Sequence, residues 1–314
     1  MNRRRGFTLI EILVVVAIVG VLMSLLLPAL AKARKSAQLL QDGNGIREMH
    51  RAGKMHAQDS NQGMPTPGKI ACLDMDFDGD GAGDQYVPLK GPEDTNQNTT
   101  KALHSLMIAL EYYQPKLCVS GVEANPAVQV DDDYQYGLYD PANQSFWDQG
   151  FDCNITGQGP FPSNISYAHQ WFAGKRKATR WQRNTVDSNV VQMGNRGPKD
   201  GNIHPDVVDP EEYKNSNTLL MHGSEKDWTG CFVMGDNSTR TENGFYLDGV
   251  EYNPRGGFAA KMDNQFFDED NHSNAFDIEA TSNGVWEFSD LNGGDSVLTI
   301  QRTNINNFDT RMND

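Results

Sequence analysis

Residues 7–31 constrain this chain more than any other feature, because 25 residues carry a single charge, Glu11. As an α-helix rising 1.5 Å per residue, they extend about 37 Å, enough to cross the hydrocarbon core of a bilayer. Arg3, Arg4 and Arg5 precede them, which predicts a cytoplasmic N-terminal side and an extracytoplasmic remainder. No second stretch of this kind occurs, so a multi-span membrane protein is excluded. A secretory signal would end in a small-x-small cleavage site. The nearest candidate, Ala29 to Ala33, runs straight into a basic helical continuation. A carboxylate just inside the span is costly unless it meets a partner. Cleavage between Gly6 and Phe7 would supply one, since the new amine of Phe7 is a cation that Glu11 of a neighbouring copy can meet.

The run Arg5-Gly6-Phe7-Thr8-Leu9-Ile10-Glu11 resembles the prepilin signature of the type IV pilin and type II secretion pseudopilin superfamily. That signature is a short basic leader ending in Gly, followed by Phe-Thr-Leu-Ile-Glu. The resemblance implies cleavage after Gly6 by prepilin peptidase and N-methylation of Phe7. It implies that Phe7 and Glu11 set register as apolar helices pack with copies of the chain and other pilins. It also implies residence in the inner membrane before an assembly platform extracts the subunit into a periplasmic or cell-surface filament. Gly20 and Pro28 fall where many pilins carry a helix-weakening Gly and Pro. Both residue types disfavour helix interiors, and local melting between them on assembly is the implied behaviour. A plain membrane anchor is the alternative, but it has no use for Glu11.

The chain divides into a leader (1–6), a transmembrane or filament-core helix (7–60) and an extracytoplasmic head (61–314). Residues 1–60 hold nine basic and four acidic side chains, whereas the remainder holds 18 and 38, a net −20. Such a head is well solvated and a poor general binder of nucleic acid, whose phosphates need clustered cations. Helical spacing continues to about residue 59, with a possible break at 43–45 and a stop at Pro65 and Pro67. The expected class is α+β: a long N-terminal helix packed on a head with an antiparallel sheet. In the head, 100–113 reads as a helix capped by Thr99 and ended by Pro115. Short strands are expected at 219–221, 230–234, 244–252, 285–288 and 297–301.

Residues 76–84 read Asp-Phe-Asp-Gly-Asp-Gly-Ala-Gly-Asp. Asp76, Asp78, Asp80 and Asp84 occupy positions 1, 3, 5 and 9 of a calcium loop, Gly81 occupies position 6, and the Ala82 carbonyl supplies position 7. Oxygen-only donors point to Ca2+ rather than zinc. The stretch resembles the loops of thrombospondin type 3 and dockerin-like repeats. Val87 stands at position 12, where an EF-hand has a bidentate Glu. Asp74 offers a second register, and a solvated acidic turn is the non-binding alternative.

Cys72, Cys118, Cys153 and Cys231 all lie in the head. An exported location allows two disulfides and three connectivities. The pairing Cys72–Cys118 with Cys153–Cys231 follows proximity in sequence only, and free buried thiols are the alternative. Residues 169–183 form the only basic and aromatic cluster, with Trp171, Phe172 and Trp181 among five cations. It is a contact for DNA or another polyanion, a surface segment facing an acidic neighbour in the filament, or a partly buried aromatic strand. His204, His222 and His272 lie near acids at spacings that name no site. No His-Glu-x-x-His, Gly-x-Ser-x-Gly, P-loop or Gly-x-Gly-x-x-Gly occurs.

The head also resembles large pilin-like proteins with a His-x9-Asp-Gly C-terminal region. Segments 113–118 and 194–198 carry this likeness, as do His222-Gly223, Trp228 and Gly235-Asp236-Asn237. Here Asp236 follows His222 by 14 residues instead of ten, and Asn237 replaces the Gly. The expected function is therefore that of a non-enzymatic subunit of a pilus-like or secretion pseudopilus filament. The alternative is a membrane-anchored, calcium-dependent adhesin or ligand-binding protein.

Overall fold

A computed structural model describes residues 8–60, 63–155, 160–170, 174–182, 186–197, 217–224, 227–252, 261–264 and 298–299. Gly6, Phe7, Trp171, Phe172, His204, His272 and the expected strand at 285–288 lie outside these residues.

Helix α1 spans Leu9–Asp59 without interruption, passing through Gly20, Pro28 and the Gly43–Gly45 stretch. Its start is a capping box: the Thr8 side chain accepts from the Glu11 backbone, and the Glu11 side chain reaches back to Thr8. Such reciprocal bonds satisfy amides that a helix start leaves unpaired. The possible break at 43–45 does not occur, and Gly43 shows why. A Cβ at this position would lie 3.0 Å from Cys231 Sγ. Glycine therefore lets the helix approach the sheet closely, and that contact offsets its low helix propensity.

Helix α1 changes character along its length. From Leu9 to Leu30 its large apolar side chains are exposed, whereas burial begins at Asp42 and recurs at Gly43, Ile46, Met49, His50, Ala52, Gly53, His56 and Ala57. Spacings of three and four place these residues on one face. That face lies against a five-stranded antiparallel sheet of order β4-β3-β2-β1-β7. Its strands are β1 (Tyr167–Gln170), β2 (Val191–Asn195), β3 (Gly230–Met234), β4 (Thr239–Glu242) and β7 (Leu298–Thr299). Strands β5 (Tyr246–Tyr252) and β6 (Lys261–Asn264) form a separate antiparallel pair. The fold is thus α+β, a long helix docked on a head with an antiparallel sheet.

The remaining described helices are short. They are α2 (Pro67–Ile70), α3 (Thr100–Ala109), α4 (Gly174–Thr179) and a final turn, α5 (Asn217–Leu220). Ile46 and Met49 of α1 pack with Met107 and Ile108 of α3 and with β1–β3 in the main core. Burying Ile46 completely contributes about 2 kcal/mol. A second cluster joins Ile70, Ala102, Leu106 and Trp147.

Several expectations need correction. Thr99 caps α3, accepting from the Ala102 backbone N–H, but the helix ends at Ala109 rather than near 113. Glu111 adopts φ 60°, and bonds from Glu111 N to Ile108 O and from Tyr112 N to Met107 O close a Schellman turn before Pro115 is reached. The expected strand at 219–221 is instead the helical turn α5, because a three-residue apolar run carries no period to separate the two. Strands β1 and β2 precede residue 215 and were not foreseen. Every residue in both is buried, so neither shows polar alternation.

The disulfide pairing is overturned. Cys72, Cys118, Cys153 and Cys231 are all buried, and none is in a disulfide. The thiols have separate surroundings: Cys72 donates to Val87 O at 3.7 Å, Cys118 lies 3.7 Å from His104 Nδ1, and Cys231 donates to Leu39 O at 3.3 Å. Burial raises the pKa of Cys118 and Cys231, which favours the thiol over the thiolate. Alkylation in denaturant without reductant should therefore add four groups per chain by mass; no addition would restore two disulfides.

Candidate functional site

Three regions contain the residues singled out from the sequence. The first is the exposed half of α1. Residues 9–37 stand clear of the head, a length of about 43 Å at helical rise. This half is long and apolar enough to cross a membrane. Its one carboxylate is held by its own chain: Glu11 Oε2 accepts from Thr8 N at 2.7 Å and from Thr8 Oγ1 at 2.8 Å. Among the described residues, no atom outside its own turn of helix lies within 4 Å of a Cβ placed on Gly20, and Pro28 is the helix's only internal proline.

The second region is the acidic loop. An antiparallel bridge between Met75 and Gln85 closes it, with Met75 N donating to Gln85 O at 2.8 Å. Gly79 and Gly81 adopt φ 79° and 88°, values that side chains with a Cβ rarely take. Asp76 accepts from Gly79 N at 2.6 Å and Gly81 N at 2.8 Å, and these bonds hold its carboxyl below the usual range. Carboxylate oxygens of Asp76, Asp78 and Asp84 lie within 4.8 Å of one another. Asp80 caps Ala82 N instead, at 2.7 Å. Asp74 packs against Gly83 and lies outside the trio.

The third region, the joint between α1 and the head, was not foreseen as a site. Asp42 is 2% exposed. Ser120 Oγ donates to its two oxygens at 2.9 and 2.7 Å, Tyr167 OH at 3.1 Å, Asn195 Nδ2 at 3.0 Å and His222 Nε2 at 2.8 Å. Four groups thus occupy the roughly four lone-pair positions of one carboxylate. A buried group left without a partner costs about 1–3 kcal/mol, so each donor depends on Asp42 as much as Asp42 depends on it.

The network extends further. Ser166 Oγ accepts from Ser120 N at 3.0 Å and donates to Glu123 at 2.6 Å. Glu123 forms a two-pronged pair with the fully buried Arg196, with Nη2 to Oε1 at 2.7 Å. Arg196 Nε in turn donates to Thr218 Oγ1 at 3.0 Å. The order of contacts also bears on chemistry. Ser120 bonds Asp42 and not His222, so the Ser-His-Asp relay of a hydrolase is not assembled. A cleft of about 410 Å³ opens beside the joint, and Glu48 and Lys116 are its charged groups with Asp42.

The sequence contained one signal for this joint. Asp42 lies four residues before Ile46 on the inward face, where an acid is conspicuous. The residues bearing the wider resemblance also gather here. Asn195, Arg196 and His222 join the network, Trp228 donates to Arg196 O at 2.9 Å, and Asn237 pairs with His50 Nδ1 at 2.9 Å.

Within the basic and aromatic cluster, His169 and Trp181 are buried, with Trp181 Nε1 donating to Pro65 O at 2.8 Å, and Lys177 is paired with Glu93. These described members serve the core and an ion pair rather than an open cationic surface.

Burial lowers the pKa of His50 and His169 to about 4, lowers that of His104 to about 3, and depresses that of His56. His50 and His56 lie on the docked face of α1. These rings are neutral when folded and take up protons near pH 6.5 when unfolded. Their contribution is therefore complete above pH 6.5 and is lost as pH falls toward about 4, on the order of 3 kcal/mol for His50. The Tm should fall between pH 7 and pH 5, and His50→Gln should flatten that fall. A Tm independent of pH over this range would contradict the assignment.

The family model for the prokaryotic N-terminal methylation motif matches residues 1–27. No curated protein and no solved structure matches the chain. The likeness to heads with a His-x9-Asp-Gly region finds no support in these comparisons. The motif, and the apolar helix that continues from it into an α+β head, support a type IV pilin-like family for this chain.

Proposed function

We propose that the protein is a structural subunit of a type IV pilus-like or type II secretion pseudopilus filament. Prepilin peptidase cleaves after Gly6, Phe7 is methylated, and the subunit waits in the inner membrane with its head outside the cytoplasm. An assembly platform then extracts it to join copies of itself and other pilins. The observation that carries this reading is the exposed half of α1, an apolar surface that its own head leaves uncovered. Water excludes such a surface, so it needs lipid or neighbouring helices. On assembly, Glu11 exchanges its bonds to Thr8 for the charged Phe7 amine of a neighbour. Glu11→Leu should leave membrane insertion intact and abolish incorporation into sheared filaments. Normal filaments from this variant would remove Glu11 from the mechanism. A native N-terminal peptide beginning at Met1 would favour the plain anchor.

A second reading, a calcium-dependent adhesin or ligand-binding head, draws support from the acidic loop. Asp76, Asp78 and Asp84 provide hard oxygen donors around one point, with Asp80 and the Ala82 carbonyl as further ligands in the same loop. Val87 supplies none, so the expected Kd for Ca2+ is about 10⁻⁴–10⁻³ M, as in extracellular modules. Millimolar Ca2+ should raise the Tm of the full chain in detergent, and Asp76→Asn with Asp78→Asn should cancel the rise. Equal Tm with Ca2+ and with chelator would exclude the site.

A further inference from the structure

We propose that Asp42 is the positioning residue that sets the height and rotation of the head on α1, a role distinct from adding net stability. Apart from Asp42, the docked face offers Gly43, Ile46, Met49, His50, Ala52, Gly53, His56 and Ala57. Only Ile46 and Met49 are large and apolar, and methionine adapts readily to altered surroundings. His50 adds one directional bond, to Asn237 Oδ1 at 2.9 Å, but apolar packing has no direction, so the rest of this face tolerates sliding and rolling.

Asp42 tolerates neither. Its donors come from four separate segments: Ser120 follows a short helical turn, Tyr167 lies on β1, Asn195 ends β2, and His222 follows α5. A shift of one residue along α1 moves the carboxylate about 1.5 Å and turns it about 100°, away from all four donors together. The segments are also tied to each other. Ser166 and Glu123 link the Ser120 segment to Arg196, and Asn195 Oδ1 accepts from Cys231 N at 2.8 Å. Asp42 therefore enters a prepared socket rather than gathering loose loops. Buried ionic groups often add little net stability, and their best-attested use is to fix register. In the filament reading, on which this consequence rests, one fixed head height gives all copies the same spacing between apolar core and head surface.

The native thiol of Cys231 supplies the probe. A Cβ at Gly43 would lie 3.4 Å from Cys231 Cβ and 3.0 Å from its Sγ, close to disulfide spacing. In the unassembled full chain in detergent, Gly43→Cys should form the 43–231 crosslink under mild oxidation, identified by peptide mass. Adding Asp42→Leu should lower its yield at least fivefold at a temperature where tryptophan fluorescence shows the head folded. Asp42→Leu with His222→Leu, which removes the buried pair together, should keep the head folded and the yield low. Parental crosslinking in either folded variant overturns the proposal, because Asp42 would then only add stability. Unfolding of the head in both variants overturns it as well. These crosslinks are read before assembly, so they stand apart from failure of the filament reading. If filaments form, the preformed 43–231 crosslink should restore incorporation of the Asp42→Leu subunit.

Discussion

Asp42 is taken out of water where α1 meets the sheet, and donors from four segments replace the water it loses. Much of the head depends on that exchange. β1 and β2 each contribute a donor to the carboxylate, and β3 is tied to Asn195 through Cys231. The Arg196–Glu123 pair extends the same network away from the helix. Breaking one member strands its partners in a low-dielectric interior, where unpaired polar groups are most costly. The members of the joint therefore depend on one another.

A single helix serves two solvents. Its first half presents apolar side chains on every face, and its second half has one inward face of small, apolar and neutral histidine side chains. Gly43 and Ala52 admit close approach, and Ile46 and Met49 fill the core. The same continuous rod thus offers one surface long and apolar enough to cross a membrane, and another to its own head. Thr8 holds Glu11 at the start of the rod, so the only carboxylate in the apolar half is not left bare.

Much of this architecture was legible in local sequence. The basic leader, the prepilin signature and most of the apolar run fall within the first 27 residues, the same residues that match the methylation motif. Strand β3 was read at its observed limits because its apolar run is bounded by turn residues. The end of α3 was not legible. It depends on Glu111 entering a left-handed conformation that non-glycine residues seldom adopt. The cysteine pairing failed because sequence proximity says nothing about where side chains pack. Each thiol found its own buried surroundings.

By itself, the sequence determined the membrane-length helix, its orientation signal, the processing motif and the order of oxygen donors in the acidic loop. These are properties of contiguous residues, set by length, charge and spacing. Only the tertiary structure decided that Asp42, Ser120, Tyr167, Asn195 and His222 meet, that the four thiols stay apart, and that Gly43 continues the helix rather than breaking it. The reason is physical. Asp42 and His222 are 180 positions apart, and no local propensity links them. Their pairing follows from docking the helix on the sheet, which brings acid and donors into one buried volume where each must find a partner.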